Sequence, residues 1–142
     1  MSKPLVREFT LAGPKGDGRH AQLGVPVENV LGISALESGW GDSRFATQGN
    51  NYFGIHYPAP FATGYLVAGQ SGVRVATFAN YTDSLRSFAA ISGNDVQGVS
   101  NPRDFAAALY DSGKFGVGSP NYADDVGKTI EGIRAIVSQH KS

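Results

Sequence analysis

The chain has 142 residues, a length that suits one domain able to bury about two thirds of its unfolded surface without staples. Lys and Arg together number 12, as do Asp and Glu, so the formal charge is zero. That balance speaks against general nucleic-acid binding, which needs an excess of cations to neutralise phosphates. The absence of cysteine excludes disulfides and thiolate metal sites.

Along the chain, residues 1–22 read as an N-terminal arm. Pro4, Gly13, Pro14, Gly16 and Gly18 break every period there. The segment lacks the apolar stretch of a cleaved signal, and no run approaches the roughly 18 apolar residues of a membrane-spanning helix. Residues 23–142 read as the folded domain. A first helix is expected from Pro26, with Val27, Val30, Leu31 and Ala35 at helical spacing and Gly39 and Gly41 closing it. Tyr52 to Ile55 reads as a short extended piece. Tyr65–Ala68 and Val73–Phe78 flank Gly69-Gln70-Ser71-Gly72 as the arms of a β-hairpin. A helix follows with Leu85, Phe88, Ala89 and Ile91. Another is started by Asn101, Pro102 and Asp104 and stopped by Gly113. The last is expected to be capped at Ser119-Pro120 and to bury Tyr122, Val126, Ile130, Ile133 and Val137, with His140 and Lys141 near its end. Helix, hairpin and three helices make an α+β domain rather than a parallel-sheet fold.

Phosphate-binding glycine loops, HExxH and GxSxG are all missing, and His20, His56 and His140 are scattered. No metal and no cofactor is expected. The informative segment is Ala35-Leu36-Glu37-Ser38-Gly39-Trp40-Gly41-Asp42. Glu37 lies at the C-terminal end of an apolar helix, where the helix dipole disfavours negative charge and apolar neighbours add a desolvation cost. Both push its pKa upward, toward the protonated carboxyl that donates a proton to a glycosidic leaving group. A plain surface glutamate at a helix end is the alternative reading of the same residue.

Glu37-Ser38-Gly39-Trp40-Gly41, followed by Asn50-Asn51-Tyr52-Phe53-Gly54-Ile55, resembles the glucosaminidase family of bacterial peptidoglycan hydrolases, which includes flagellar-rod hydrolases, autolysins and phage lysins. Leu23-Gly24-Val25-Pro26 with Leu31, Phe78 to Ser84 with Ser87-Phe88, and Ser119-Pro120-Asn121-Tyr122-Ala123 with Ile130 resemble further family segments in the same order. The resemblance covers roughly residues 23–138. It implies a lysozyme-like fold: a mainly helical lobe, a small β-hairpin lobe and a glycan groove between them. It implies Glu37 as general acid and Tyr122 beside it, although Tyr122 reads equally as a core aromatic. The implied activity is an endo-β-N-acetylglucosaminidase on the β-1,4 backbone of peptidoglycan, with lysozyme or lytic transglycosylase chemistry as alternatives. A non-catalytic glycan-binding module is the alternative from another class.

Two departures from the family pattern stand out. No Asp or Glu occurs from Phe45 to Thr82, although glycosidases ordinarily use two carboxylates. Asp83 and Asp42 flank this stretch as candidates for the second one, and each also has a structural reading, at a helix start and in a turn. The family's N-terminal helix is also interrupted by glycine and proline between Leu11 and Gly18, leaving an arm that could dock on a virion, flagellar or secretion machine. Trp40, Asn51, Tyr52, Tyr57, Tyr65 and Tyr81 are the candidate substrate-binding residues, with Asn51 also suited to tying the backbone together. Phe53 and Phe78 read as core. Arg74 on the hairpin could reach a peptide-stem carboxylate, though an exposed strand arginine needs no such role. The expected partner is a glycan strand met by a monomer at the cell wall, with neither nucleic acid nor membrane insertion.

Overall fold

The computed structural model describes residues 24–141, so the expectations for the N-terminal arm lie outside the described residues. The elements in order are α1 (Val27–Glu37), α2 (Arg44–Gly49), β1 (Gly64–Val67), β2 (Arg74–Thr77), α3 (Tyr81–Val96), α4 (Pro102–Asp111) and α5 (Tyr122–Lys141). This is the expected α+β architecture, mainly helical with one small hairpin. None of the described helices is long and apolar enough to cross a membrane.

Sequence and structure differ at three boundaries. Pro26 is the N-cap of α1 and not its first residue. Helix α2 is not foreseen from the sequence, because six residues are too few to show a period. Its signals are local: the Ser43 side chain accepts from the Ala46 N–H, and Asn50 closes it in the left-handed conformation (φ 53°). The last helix begins at Tyr122 rather than at Pro120, with Ser119 and Pro120 in the preceding turn, where the Ser119 carbonyl accepts from the Tyr122 N–H at 3.0 Å. The Asn101 cap behaves as its sequence predicts, accepting from Arg103 and Asp104 N–H, both at 3.0 Å.

Helices α1 and α5 run antiparallel in close contact. The contacts step in opposite directions along the two helices: Arg134 donates to Asn29 Oδ1 at 3.3 Å, Gly32 lies against Ile130, and Glu37 meets Tyr122. A Cβ on Gly32 would stand 2.3 Å from Ile130 Cγ1, so this helix pair needs glycine there to approach so closely. Antiparallel packing delivers the last residue of α1 to the first residue of α5. Val30, Ile33, Phe53, Phe88, Phe105, Leu109, Val126 and Ile130 form the core, all fully buried. Phe53 and Phe88 stack at 4.7 Å between ring centroids. Phe78 is also buried, so both phenylalanines assigned to the core belong to it.

The hairpin is antiparallel, pairing Tyr65 with Ala76 and Val67 with Arg74. The extended piece 55–57 lies on the other side of β2. Ala76 N–H donates to Ile55 O and Tyr57 N–H to Arg74 O, each at 2.9 Å, and His56 bridges Val75. The small lobe is thus held to the segment that leaves the candidate acid's neighbourhood.

Candidate active site

Helix α1 ends at Glu37 in a sharp turn. Gly39, Trp40 and Gly41 all take positive φ (58°, 59° and 80°). Trp40 N–H donates to Ala35 O at 2.7 Å, and Gly39 N–H to Leu36 O at 3.3 Å. Ser38, fully buried, donates to Ser34 O at 2.6 Å and accepts from Gly41 N–H at 2.9 Å. These bonds satisfy carbonyls that a helix end leaves open, and they hold the Glu37 backbone rigidly. Trp40 in the left-handed region is a strained choice for a large side chain, the kind of cost that concentrates at functional sites.

The Glu37 carboxyl sits between two groups. Tyr122 Oη donates to Oε2 at 3.1 Å across 85 positions of sequence. On the other side, Oε1 lies against Gly54, whose backbone has φ 66°. A Cβ there would stand 3.0 Å from that oxygen. Burial pushes the Glu37 carboxyl above the ordinary carboxylate range, and the bond from Tyr122 pulls it partly back. Burial, and then the adjacent carboxylate, push the Tyr122 phenol strongly upward. Tyr122 therefore remains a hydrogen-bond donor at any pH the protein meets. Its ring is fixed by Gly116, where a Cβ would collide at 2.4 Å, and by Tyr110 at 6.2 Å between centroids.

Trp40, Tyr52 and Tyr81 gather around the same helix end, partly buried against Leu31, Ala35 and Ile133. The Tyr52 and Tyr81 rings meet edge-to-face at 5.0 Å, and the Tyr81 and Ser34 hydroxyls are 3.2 Å apart. Burial also raises the Tyr52 phenol. Tyr57 and Tyr65 form a second aromatic pair on the hairpin at 5.0 Å, with Arg74 over the Tyr65 ring at 4.9 Å.

Asn51 faces inward and ties backbone together, the second of its two sequence readings. It is 1% exposed, and its amide is spent on backbone. It donates to Ile55 O and Ala76 O, both at 2.8 Å, and accepts from Phe53 and Ile55 N–H, both at 3.2 Å. It shapes the turn that sets Gly54 against Glu37. Asp83 occupies the first turn of α3 and pairs with Arg86 at 3.3 Å. Arg86 in turn covers the Phe61 ring at 4.0 Å. Among the described residues no hydrogen bond or ion pair joins Asp83 to Glu37 or Tyr122. Asp42 is exposed in the turn after α1. Sequence reasoning missed Gly54, Gly116, Ser34 and Tyr110. Gly54 stood inside a recognised motif, whereas the role of Gly116 depends on a ring brought to it by folding.

A helix-end carboxyl pushed toward its protonated form by burial and hydrogen-bonded by a phenol, in a mainly helical fold with a small hairpin, is the kind of arrangement lysozyme-like glycoside hydrolases use. Comparison with known proteins gives the family. Residues 18–135 match the glucosaminidase family, described as mannosyl-glycoprotein endo-beta-N-acetylglucosaminidase, and the chain belongs to it. It is 33% identical to a chain in a type VI secretion system effector–immunity complex from Pseudomonas protegens, with 93% of this chain and 90% of that one covered and a TM-score of 0.81. It is 26% identical to a peptidoglycan hydrolase from Sphingomonas sp. A1, with 94% of each chain covered and a TM-score of 0.76. The glycoside hydrolase domain of Salmonella typhimurium FlgJ, C-terminally truncated, shares the fold at 22% identity and a TM-score of 0.67, with 95% of this chain and 99% of that one covered. No curated protein matches the chain.

Proposed function

We propose that the chain cleaves the β-1,4 backbone of bacterial peptidoglycan as an endo-β-N-acetylglucosaminidase, with Glu37 as its general acid. The observation that carries this reading is the Glu37 carboxyl, buried at a helix end and hydrogen-bonded by Tyr122 at 3.1 Å. Family membership and the 26% identical peptidoglycan hydrolase support the substrate.

Because the stretch from Phe45 to Thr82 holds no acid, the nucleophile is assigned to the substrate. The carbonyl oxygen of the 2-acetamido group attacks C1 while Glu37 gives its proton to the departing glycosidic oxygen. The C1–O bond breaks and a cyclic oxazoline forms. The Glu37 carboxylate then takes a proton from water as that water opens the ring at C1, and the configuration is retained. Tyr122 keeps the carboxyl oriented through both steps and stabilises its ionised form between them. Trp40, Tyr52 and Tyr81 offer ring faces and hydroxyls to sugars near the acid.

The test is mass spectrometry of digested peptidoglycan with and without borohydride reduction. Reducible ends on N-acetylglucosamine are expected. Reducible muramic ends would assign muramidase activity instead, and anhydromuramic ends would assign internal attack by the 6-hydroxyl. Glu37→Gln is expected to lose about 10²–10⁴-fold in turnover while still binding wall. If the parent and Glu37→Gln both release nothing from intact wall, the domain is a glycan-binding module. The place of action is the bacterial cell wall. Delivery by a dedicated secretion apparatus is the route favoured by the 33% identical chain of a type VI effector–immunity complex.

A further inference from the structure

The small lobe has one covered face and one open one. Segment 55–57, β2 and β1 lie side by side, so Ile55, Tyr57, Ala76, Arg74, Tyr65 and Val67 share a face. The opposite face carries Leu66 and Thr77, against which α2 is packed through Gly49. A Cβ on Gly49 would stand 3.0 Å from Thr77 Cγ2 and 3.4 Å from Leu66 Cδ1. On the first face, the inner residues Ile55 and Ala76 belong to the core. The outer residues Tyr65 and Val67 are 44% and 49% exposed.

Arg74 sits on this open half. Its guanidinium lies over the Tyr65 ring, 4.9 Å from the centroid, and that ring is itself against Tyr57. It makes no side-chain hydrogen bond or ion pair among the described residues. The neighbouring Arg44, by contrast, donates to the Val67 carbonyl at 2.5 Å. The acid-free stretch from Phe45 to Thr82 leaves the lobe with no carboxylate to neutralise Arg74. A guanidinium is weakly hydrated and planar. Held over a ring it is preorganised to donate two parallel hydrogen bonds to a carboxylate. Gly54, which touches Glu37, lies three residues before Tyr57, so at most about 10 Å of chain separates the backbone beside the acid from the ring that backs Tyr65.

N-acetylglucosamine carries no charge, and the muramic lactyl group is neutral when amide-linked. The anionic groups of a peptidoglycan strand are the carboxylates of its stem peptides. Resting on the proposed peptidoglycan activity, we infer that Arg74, held on Tyr65 beside Tyr57, binds a stem-peptide carboxylate, so that the protein prefers strands whose peptides retain their charge.

The experiment compares native insoluble peptidoglycan with the same material after its carboxylates have been amidated by carbodiimide coupling to methylamine. The parent, Arg74→Ala and Arg74→Gln are assayed on both, with thermal melting of each to register folding. The parent is expected to lose about tenfold in kcat/KM on amidated wall, and Arg74→Ala to lose the same on native wall, as for one charged hydrogen bond. Both variants should be indifferent to amidation. Parent activity on either substrate upholds the proposed reaction independently of the Arg74 result. Co-sedimentation of Glu37→Gln, alone and combined with Arg74→Gln, repeats the comparison without turnover. Equal losses on both walls, unchanged activity or binding in the Arg74 variants, or discrimination by the parent that persists without Arg74 would each overturn the inference.

Discussion

Tyr122→Phe is the substitution in which the site's electrostatics become measurable. It removes one hydroxyl, 3.1 Å from Glu37 Oε2, and leaves the buried ring in place against Gly116 and Tyr110. The lost bond differs with the ionisation of Glu37. A hydrogen bond to a carboxylate is worth about 1.5–3 kcal/mol and one to a neutral carboxyl about 0.5–1.5 kcal/mol. The Glu37 pKa is raised on folding by burial and drawn partly down by Tyr122. A raised carboxyl contributes stability that is fully present below its unfolded pKa and lost as pH rises through the folded one. Removing Tyr122's hydroxyl raises the folded pKa further, so the variant loses more stability at pH 8 than at pH 4. At about 2–4 °C per kcal/mol for a domain near this size, the extra loss is readable in thermal melting at the two pH values. Enzymatically, the limb of the pH–rate profile on which Glu37 loses its proton moves to higher pH in Tyr122→Phe, while turnover falls because the ionised intermediate state is less stabilised. Equal melting losses at pH 4 and pH 8, or movement of that limb to lower pH, would refute the assigned roles of both residues.

Three further substitutions bear on the same site. Gly54→Ala places a Cβ 3.0 Å from Glu37 Oε1 at φ 66°, costing about 1–2 kcal/mol of stability by denaturant titration. Its activity should fall further than that stability loss explains, because the carboxyl is displaced. Asn51→Ala strips partners from two carbonyls and two N–H groups in the buried turn, and a loss of about 3 kcal/mol or more is expected in urea unfolding. Asp83→Asn weakens a partly exposed ion pair with Arg86 worth up to about 1 kcal/mol and should leave turnover within a few-fold of the parent. A loss approaching that of Glu37→Gln would instead make Asp83 the second catalytic carboxylate.

The sequence carried most of what is local. Gly39 and Gly41 mark the end of α1 because only left-handed backbone closes the helix there, and Asn101-Pro102 marks the start of α4 because cap chemistry acts within four residues. Glu37 was legible for the same reason: a helix end and an apolar stripe are both readable within one turn of chain. Helix α2 was not legible, since six residues show no period, and the beginning of α5 was misplaced because Ser119-Pro120 suits a turn as well as a cap. Residue spacing did not say which groups meet the acid; tertiary packing decided that. By its spacing Tyr122 reads as one member of a buried stripe, and only the family resemblance sets it beside Glu37; antiparallel packing through Gly32 and Ile130 is what brings it there. Asn51 reads as a polar residue of the site, yet its amide is consumed inside the turn. Arg74 reads from the sequence both as a reach toward a peptide carboxylate and as an ordinary strand arginine, and only the structure supplies its ring partner and open face. Chemistry that depends on neighbours a few residues away is written in the chain. Chemistry that depends on a partner 85 positions distant exists only once helix packing has fixed where both ends stand.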